Sequence, residues 1–105
     1  EWELCQQSGV TDITEALIGY DGLSLVISRE NEGDWDLTLA EIYQALGAQV
    51  PVNGEWVDNP YRTWNEIDPD LPEVPILVYG PPPTSGTRDA WVELAMQPGC
   101  EQLPY

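Results

Sequence analysis

The apolar residues of this chain fall into short runs that have the length of β-strands. Residues 11–18 and 22–28 are predicted to be two strands, separated by the Gly-Tyr-Asp-Gly turn at 19–22. The run Leu-Ser-Leu-Val-Ile at 23–27 is apolar enough for a strand that is buried in a sheet. Residues 76–79, Ile-Leu-Val-Tyr, form a second run of this kind. The pattern therefore predicts three strands, of which two are buried.

The clearest helix signal begins at Thr38. Thr38 and Glu41 have the spacing of a capping box, in which each side chain bonds the backbone N–H of the other residue. Apolar residues then recur at helical spacing and predict one buried face, formed by Leu39, Ile42, Tyr43 and Leu46. Gly47 is predicted to end this helix in a left-handed cap.

Three further elements are predicted in the second half of the chain. The Asn-Gly pair at 53–54 is typical of a type I′ β-hairpin, here across residues 50–57. Residues 61–70 predict a short helix or turn. A last helix is predicted from 85 to 96, where the Pro-Gly pair at 98–99 ends it. Its buried residues are expected to be Trp91, Leu94 and Ala95.

Strands and helices alternate along much of the chain, so the predicted fold class is α/β. The 105 residues are enough for one domain or a part of one, and 42% of them are hydrophobic. Because five Trp and five Tyr add large contact areas, we expect an ordered chain and a single α/β domain over residues 1–105. Glu1 is preceded by no Met or signal peptide, so a processed, trimmed or partial chain is expected.

The charge of the chain excludes one class of partner. Nineteen acidic residues face three basic ones, Arg29, Arg62 and Arg88, and the net charge is −16. No basic stripe exists to replace the counterions of a nucleic acid, so nucleic-acid binding is not expected. Anionic membrane surfaces are disfavoured for the same reason. We expect most of the acidic residues to lie on a solvated surface.

The two cysteines, Cys5 and Cys100, lie near opposite ends of the chain. A disulfide between them is the simplest interpretation and would place the chain in an oxidising compartment; two buried free thiols are the alternative. Their spacing fits no zinc pattern and the chain has no His, so neither a metal site nor another cofactor is expected. Without His or a Gly-x-Ser-x-Gly motif, no catalytic residues can be assigned, and we expect a protein that is not an enzyme.

One segment has the chemistry of an anion site. A Pro-rich turn leads into Thr84, Ser85, Gly86, Thr87 and Arg88 at the start of the last helix. The first N–H groups of a helix have no partner within it, and the helix dipole favours an anion there. Gly86 allows close approach, the hydroxyls can donate hydrogen bonds, and the guanidinium suits phosphate oxygens. The alternative is an ordinary helix start, with the guanidinium paired to a carboxylate of the chain.

Four parts of the chain carry motifs that occur together in one family. They read Thr-Asp-Ile at 11–13 with Ile-Gly-Tyr-Asp-Gly-Leu at 18–23, Leu-Thr-Leu-Ala-Glu-Ile-Tyr at 37–43, Trp-Asn-Glu-Ile at 64–67, and Gly-Pro-Pro-Pro-Thr-Ser-Gly-Thr-Arg-Asp at 80–89. In this combination they resemble the PstS-like periplasmic phosphate-binding proteins of ABC transporters. The similarity extends over nearly the whole chain.

The resemblance implies a type II periplasmic-binding-protein fold, in which two α/β lobes close on phosphate. This chain would be the middle portion of such a protein and part of one lobe. Ser85, Gly86 and Thr87 match the residues that hold the phosphate oxygens. Many relatives carry an Arg just before this turn, where this chain has Gly and Pro, and Arg88 is expected to supply that charge from the other side.

Two functions follow from the resemblance. The first is the binding of phosphate or a similar oxyanion in the periplasm or outside the cell, as the substrate-binding component of an ABC transporter or as a fragment of it. The second is a structural role, in which a truncated, ligand-free relative is an accessory subunit of an extracytoplasmic or membrane-associated complex. Membrane transporter subunits or other proteins would then cover the missing part of the fold.

Overall fold

The computed structural model describes residues 2–31 and 33–104. Its elements, in chain order, are helix α1 (Trp2–Gln7), helix α2 (Leu39–Leu46), strand β1 (Gln49–Val52), strand β2 (Glu55–Asp58), a 3₁₀ turn (Trp64–Glu66), helix α3 (Gly86–Trp91), a π-helical segment (Val92–Met96) and helix α4 (Gln97–Glu101). The last three elements follow one another without a break and form one continuous final helix. This content is mixed α/β, as the sequence predicts.

The predicted capping box at the start of α2 is confirmed. The backbone N–H of Thr38 donates to Glu41 Oε2 at 2.8 Å, and the backbone N–H of Glu41 donates to Thr38 Oγ1 at 3.2 Å. Two of the four N–H groups that a helix start leaves unpaired are commonly satisfied in this way. Of the predicted buried face, Ile42 is buried and Leu39, Tyr43 and Leu46 are half-buried; Ala45, which the sequence analysis did not assign, is buried as well.

Gly47 ends α2, but not in the left-handed conformation that the sequence predicts. Its φ and ψ are −66° and 140°, which any residue can adopt. The glycine is needed for space instead, because a Cβ atom at this position would lie 2.9 Å from the carbonyl oxygen of Tyr43 and 3.1 Å from its Cζ. The prediction was wrong because the glycine is required by the limited space beside the carbonyl oxygen and the ring of Tyr43, and not by the φ angle of the cap.

Strands β1 and β2 form the predicted hairpin. They are antiparallel, with Val52 opposite Glu55 across the turn. Asn53 and Gly54 have φ values of 53° and 83°, and a type I′ turn requires positive φ at both positions. Val50, on β1, is fully buried and anchors the hairpin.

A small apolar core joins α2 to the segment that follows the hairpin. Ala45, Trp64 and Leu71 are buried together. The Trp35 ring meets the Trp64 ring edge to face, with 5.6 Å between the ring centroids and an angle of 89° between the planes. Asn59 adds polar links, because its side-chain amide donates to the backbone carbonyls of the last turn of α2 and of its cap at 2.7 Å each. The predicted short helix within residues 61–70 is the 3₁₀ turn.

The final helix is longer than predicted. It continues through Pro98 and Gly99 to Glu101, so the predicted stop at 98–99 is wrong. The segment before Pro98 is π-helical, and the N–H of Gln97 bonds the carbonyl of Val92 five residues earlier. This wider turn precedes the position where a proline would otherwise clash with the preceding α-helical turn.

The π-helical segment also changes which side of the final helix is buried. Ala95 is buried as predicted and Trp91 is half-buried, but Leu94 is 65% exposed. A period of 3.6 residues does not describe a stretch of i→i+5 hydrogen bonds, so the predicted burial of Leu94 was wrong.

Close contact between α2 and α4 explains why the helix contains a glycine at position 99. Gly99 is buried, and a Cβ atom there would contact the carbonyl group of Leu39, with its carbon at 2.8 Å, and the Cβ of Tyr43 at 3.0 Å. The backbones of the two helices therefore pack directly against each other at this point.

The three predicted strands are not formed. Residues 11–27 make no backbone–backbone hydrogen bond among the described residues, and their side chains are exposed. Residues 77–79 are also unpaired and exposed. Next to them is a single antiparallel bridge between Thr63 and Pro75, flanked by the hydrogen bonds from the N–H of Ile76 to the carbonyl of Arg62 at 2.9 Å and from the N–H of Trp64 to the carbonyl of Val74 at 3.0 Å. An apolar run becomes a strand only when a neighbouring strand pairs its backbone groups, and the described chain supplies none.

The predicted disulfide is absent, because Cys5 and Cys100 are both free, half-buried thiols. Helix α1, which carries Cys5, buries no residue, and Cys100 belongs to the final helix. Cys100 lies instead beside Tyr43. Burial raises the pKa of the Tyr43 phenol above its ordinary value, and the neighbouring Cys100 side chain acts in the same direction.

The carboxylate of Glu66 caps the start of the 3₁₀ turn. It accepts hydrogen bonds from the backbone N–H groups of Arg62 and Thr63, the latter at 3.0 Å. These two hydrogen bonds, of which the one from Arg62 has the larger effect, hold the pKa of Glu66 below its ordinary value. The positive charge of Arg62 acts in the same direction.

We expect Gly99→Ala to destabilise the chain by about 1–3 kcal/mol, because the added methyl group would force the backbones of α2 and α4 apart. Helix propensity alone would favour alanine over glycine by about 1 kcal/mol, so packing and propensity predict changes of opposite sign in the free energy of unfolding. Urea unfolding measures the difference. Gly19→Ala is the matched control, since a Cβ there has nothing within 4 Å. A more stable Gly99→Ala chain would contradict the observed packing.

The pH dependence of unfolding tests the role of Glu66. Its pKa is lower in the folded chain than in the unfolded chain, so its ionised form stabilises the fold above the ordinary Glu pKa, and this contribution is lost as the pH falls through the folded-state value. We expect Glu66→Gln to lose less stability than the parent chain between about pH 5 and pH 3, measured by urea unfolding. Glu15→Gln removes an exposed carboxylate from the irregular segment and should follow the parent chain. Identical pH profiles for all three would contradict the assignment.

Candidate functional site

The start of the final helix is built by local hydrogen bonds. The backbone N–H of Ser85 donates to the carbonyl of Pro82 at 3.0 Å, which turns the chain after the prolines. Ser85 is the N-cap: its Oγ accepts from the N–H of Thr87 at 3.2 Å, and its carbonyl accepts from the N–H of Asp89 at 3.2 Å. As a hydroxyl, the same Oγ keeps an O–H that can donate to another group.

Two backbone amides of the first helical turn have no acceptor among the described residues. They are the N–H groups of Gly86 and Arg88. A Cβ atom at Gly86 would have nothing within 4 Å, so the space over this turn is open. Thr84, Gly86, Thr87 and Arg88 are exposed, and Ser85 is half-buried. The turn therefore presents unpaired donors to solvent.

The guanidinium of Arg88 folds back over the same turn. Its Nη1 donates to the carbonyl of Pro81 at 3.2 Å, and in the described part of the chain it forms no ion pair with a carboxylate. The alternative in which Arg88 pairs with Asp89 or Asp21 is therefore not what the structure shows. Asp21 bonds the neighbouring N–H of Gly22 at 2.8 Å, as an aspartate in an exposed turn commonly does. The remaining donors of the guanidinium are available to a ligand.

Thr87 and Arg88 stand at one wall of a groove of about 400 Å³. Most of the groove is apolar, and its other walls are formed by Leu23, Ser24, Leu25, Leu46, Val78, Tyr79, Gly80, Pro81, Trp91, Val92 and Met96. Thr84, Ser85 and Gly86 do not line it. The structure thus brings Thr87 and Arg88 to the groove and does not bring the other three predicted site residues to it.

Ser24 is a polar residue of this groove that the sequence analysis did not assign. The available signal was its position in the apolar run at 23–27, where it is the only polar residue. That signal was insufficient, because the run and the final helix are separated by some sixty residues, and only the fold brings them together.

Residues 2–31 and 33–104 lack two further features. No group of three or more Cys, Asp or Glu residues there is arranged to hold a metal ion. None of the helices in that part of the chain is both long and apolar enough to cross a membrane.

Known proteins match this chain along nearly its full length. Protein SphX of Synechococcus elongatus is 27% identical over 93 residues, which cover 89% of this chain and 25% of SphX. Protein SphX of a Synechocystis species is 28% identical over 104 residues, which cover 98% of this chain and 29% of that protein. The chain therefore spans about a quarter of the length of these curated relatives. No solved structure matches it.

The family assignment comes from a match that covers almost the whole chain. The PBP superfamily domain matches residues 1–103, which is almost the entire chain. The motifs at 11–23, 37–43, 64–67 and 80–89 all lie within this match. The mixed α/β content fits part of a periplasmic-binding-protein lobe. The chain belongs to the PBP superfamily.

Proposed function

We propose that this chain binds phosphate or a similar oxyanion at the turn formed by Thr84, Ser85, Gly86, Thr87 and Arg88. The observation that supports this most directly is the pair of unpaired amides, at Gly86 and Arg88, beside a guanidinium that no carboxylate of the described chain neutralises. A tetrahedral oxyanion accepts several hydrogen bonds at once, so it suits a turn with this set of donors.

The net charge of −16 disfavours an anionic ligand. At physiological salt the field of distant carboxylates is screened beyond about 8–10 Å. Hydrogen bonds from the turn act within about 3 Å, so local donors determine whether the anion is held. The turn is exposed on one side, and we expect weaker binding than in a site that encloses its ligand.

For the whole protein, we propose the role of the substrate-binding component of an ABC transporter in the periplasm or outside the cell. Membership of the PBP superfamily supports this role, as does the Ser85 turn with its unpaired amides at the start of the final helix. In such a protein a second lobe would supply the opposite wall and remove the remaining water from the ligand.

A second candidate is the structural role of an accessory subunit in an extracytoplasmic or membrane-associated complex. One observation favours it: the chain exposes an unusual number of large apolar side chains, including Leu17, Ile18, Tyr20, Val26, Leu77 and Tyr79. Partner subunits would cover these residues. The two candidates differ in whether the isolated turn binds an anion at all.

Arg88→Ala tests the guanidinium. We expect inorganic phosphate to bind the 105-residue chain in a calorimetric titration at moderate salt, and Arg88→Ala to weaken binding by more than about 1 kcal/mol because a charged hydrogen bond is lost. Arg29→Ala is the matched control: it makes the same charge change at an exposed position away from the turn. No binding heat at millimolar phosphate would favour the accessory-subunit role, and equal losses in both variants would point to a general charge effect.

Gly86→Ala tests whether an oxyanion approaches the backbone amides of the turn. The added methyl group meets nothing in the fold, so we expect stability to be kept, but the methyl group would stand where an oxyanion approaches the amides. Binding should weaken by roughly fivefold, about 1 kcal/mol. Gly19→Ala, which also adds a methyl group in open space and does not line the groove, is the control and should bind like the parent chain. Unchanged phosphate affinity in Gly86→Ala would rule out these amides as ligands.

A further inference from the structure

A second and larger cleft lies between two segments of the chain that belong to no helix or strand. Residues 24–28 form one wall and residues 74–79 form the other, and side chains of the core, among them Trp35, Leu37 and Trp64, form the floor. We refer to this space, of about 590 Å³, as the strand cleft. None of the residues that line it is charged, although the chain as a whole is strongly acidic.

Part of the backbone on each wall of the strand cleft is unpaired, although the carbonyl of Val74 and the N–H of Ile76 bond Trp64 and Arg62. Residues 24–27 make no backbone–backbone hydrogen bond among the described residues, and residues 77–79 make none either. Extended segments with free N–H and C=O groups are templates for another strand. Each wall has about the length of a typical strand, since five residues span roughly 17 Å.

The side chains on these walls are also exposed to a degree that is unusual for soluble proteins. Val26 is 88% exposed, Leu77 is 72% exposed and Tyr79 is 88% exposed. Single exposed apolar residues are common, but a continuous apolar surface on two adjacent walls marks a site that another polypeptide covers. The indole N–H of Trp35, at the same cleft, is buried and has no acceptor in the described part of the chain.

We propose that the strand cleft takes one uncharged, apolar β-strand of about five or six residues, supplied by the portion of a family-length protein that lies outside these 105 residues. The length of the relatives supports this source, because the matched stretch is only 25% and 29% of the two SphX proteins. The uncharged lining supports an uncharged strand. A second copy of the chain is a poor occupant, because two chains of charge −16 repel each other.

The test uses the full 105-residue chain and synthetic peptides. Twelve-residue peptides, tiled across the part of Synechocystis SphX outside its matched stretch, are mixed one at a time with the chain, and hydrogen–deuterium exchange is followed by mass spectrometry. We expect one peptide, or two overlapping ones, to slow exchange at residues 23–27 and 77–79 at least tenfold, because pairing would protect those amides. Peptides from inside the matched stretch are the negative set.

Proline variants separate backbone pairing from nonspecific apolar contact. Neighbouring amides of an extended segment point to opposite sides, so Leu25→Pro and Val26→Pro together remove a donor from each side of the wall. One of the two should weaken binding of the protective peptide at least tenfold. Ile18→Pro is the matched control, since Ile18 is exposed, lies in an equally unpaired segment and does not line the cleft.

Three outcomes would overturn the proposal. The first is that no peptide protects the two walls. The second is that both proline variants bind the protective peptide as well as the Ile18→Pro control does. The third is that the same amides become protected without peptide as the chain concentration rises and a dimer forms, which would identify a second copy as the occupant.

Discussion

The packing of α4 directly on α2 is the contact on which the rest of the structure depends. It is possible only because residue 99 is a glycine, whose missing side chain lets the carbonyl of Leu39 approach the final helix. Helix α2 in turn holds the end of the hairpin, because the side chain of Asn59 donates hydrogen bonds to its last turn and its cap. It also contributes Ala45 to the core. Since the final helix is continuous from Gly86 onward, fixing its far end also fixes the position from which Thr87 and Arg88 line the groove.

Elements whose signals are satisfied within a few residues could be predicted from the sequence. The Thr38 and Glu41 side chains bond each other's backbone three residues apart, and the Asn-Gly turn needs only its own φ angles, so distant structure cannot overrule either. The strands at 11–18, 22–28 and 76–79 could not be predicted correctly, because apolar runs of this length report only a preference for burial. Whether they pair depends on segments that the described chain does not provide.

The candidate site also has one part that could be predicted from the sequence and one part that could not. The N-cap at Ser85 follows from a Ser-Gly-Thr sequence at a helix start, and the structure contains it. The groove beside Thr87 and Arg88 could not be predicted, since it arises where residues 23–25 and 78–81 approach the final helix. The prediction of a disulfide between Cys5 and Cys100 was wrong for a related reason. Two cysteines in a sequence give no distance between their sulfur atoms, and here α1, which carries Cys5, buries no residue.

The groove at Arg88 and the strand cleft are not independent, because Ser24, Leu25, Leu46, Val78 and Tyr79 line both. Both also present the same physical problem, which is backbone and side-chain groups with no partner of their own. A strand that filled the cleft would pair the walls and hold residues 23–25 and 78–81 in place around Arg88. It would also exclude water from the apolar side of the groove, and hydrogen bonds to an oxyanion are stronger where water is excluded. By linkage, an anion at the Ser85 turn would then favour the docked strand to the same extent, so the two binding events would reinforce each other.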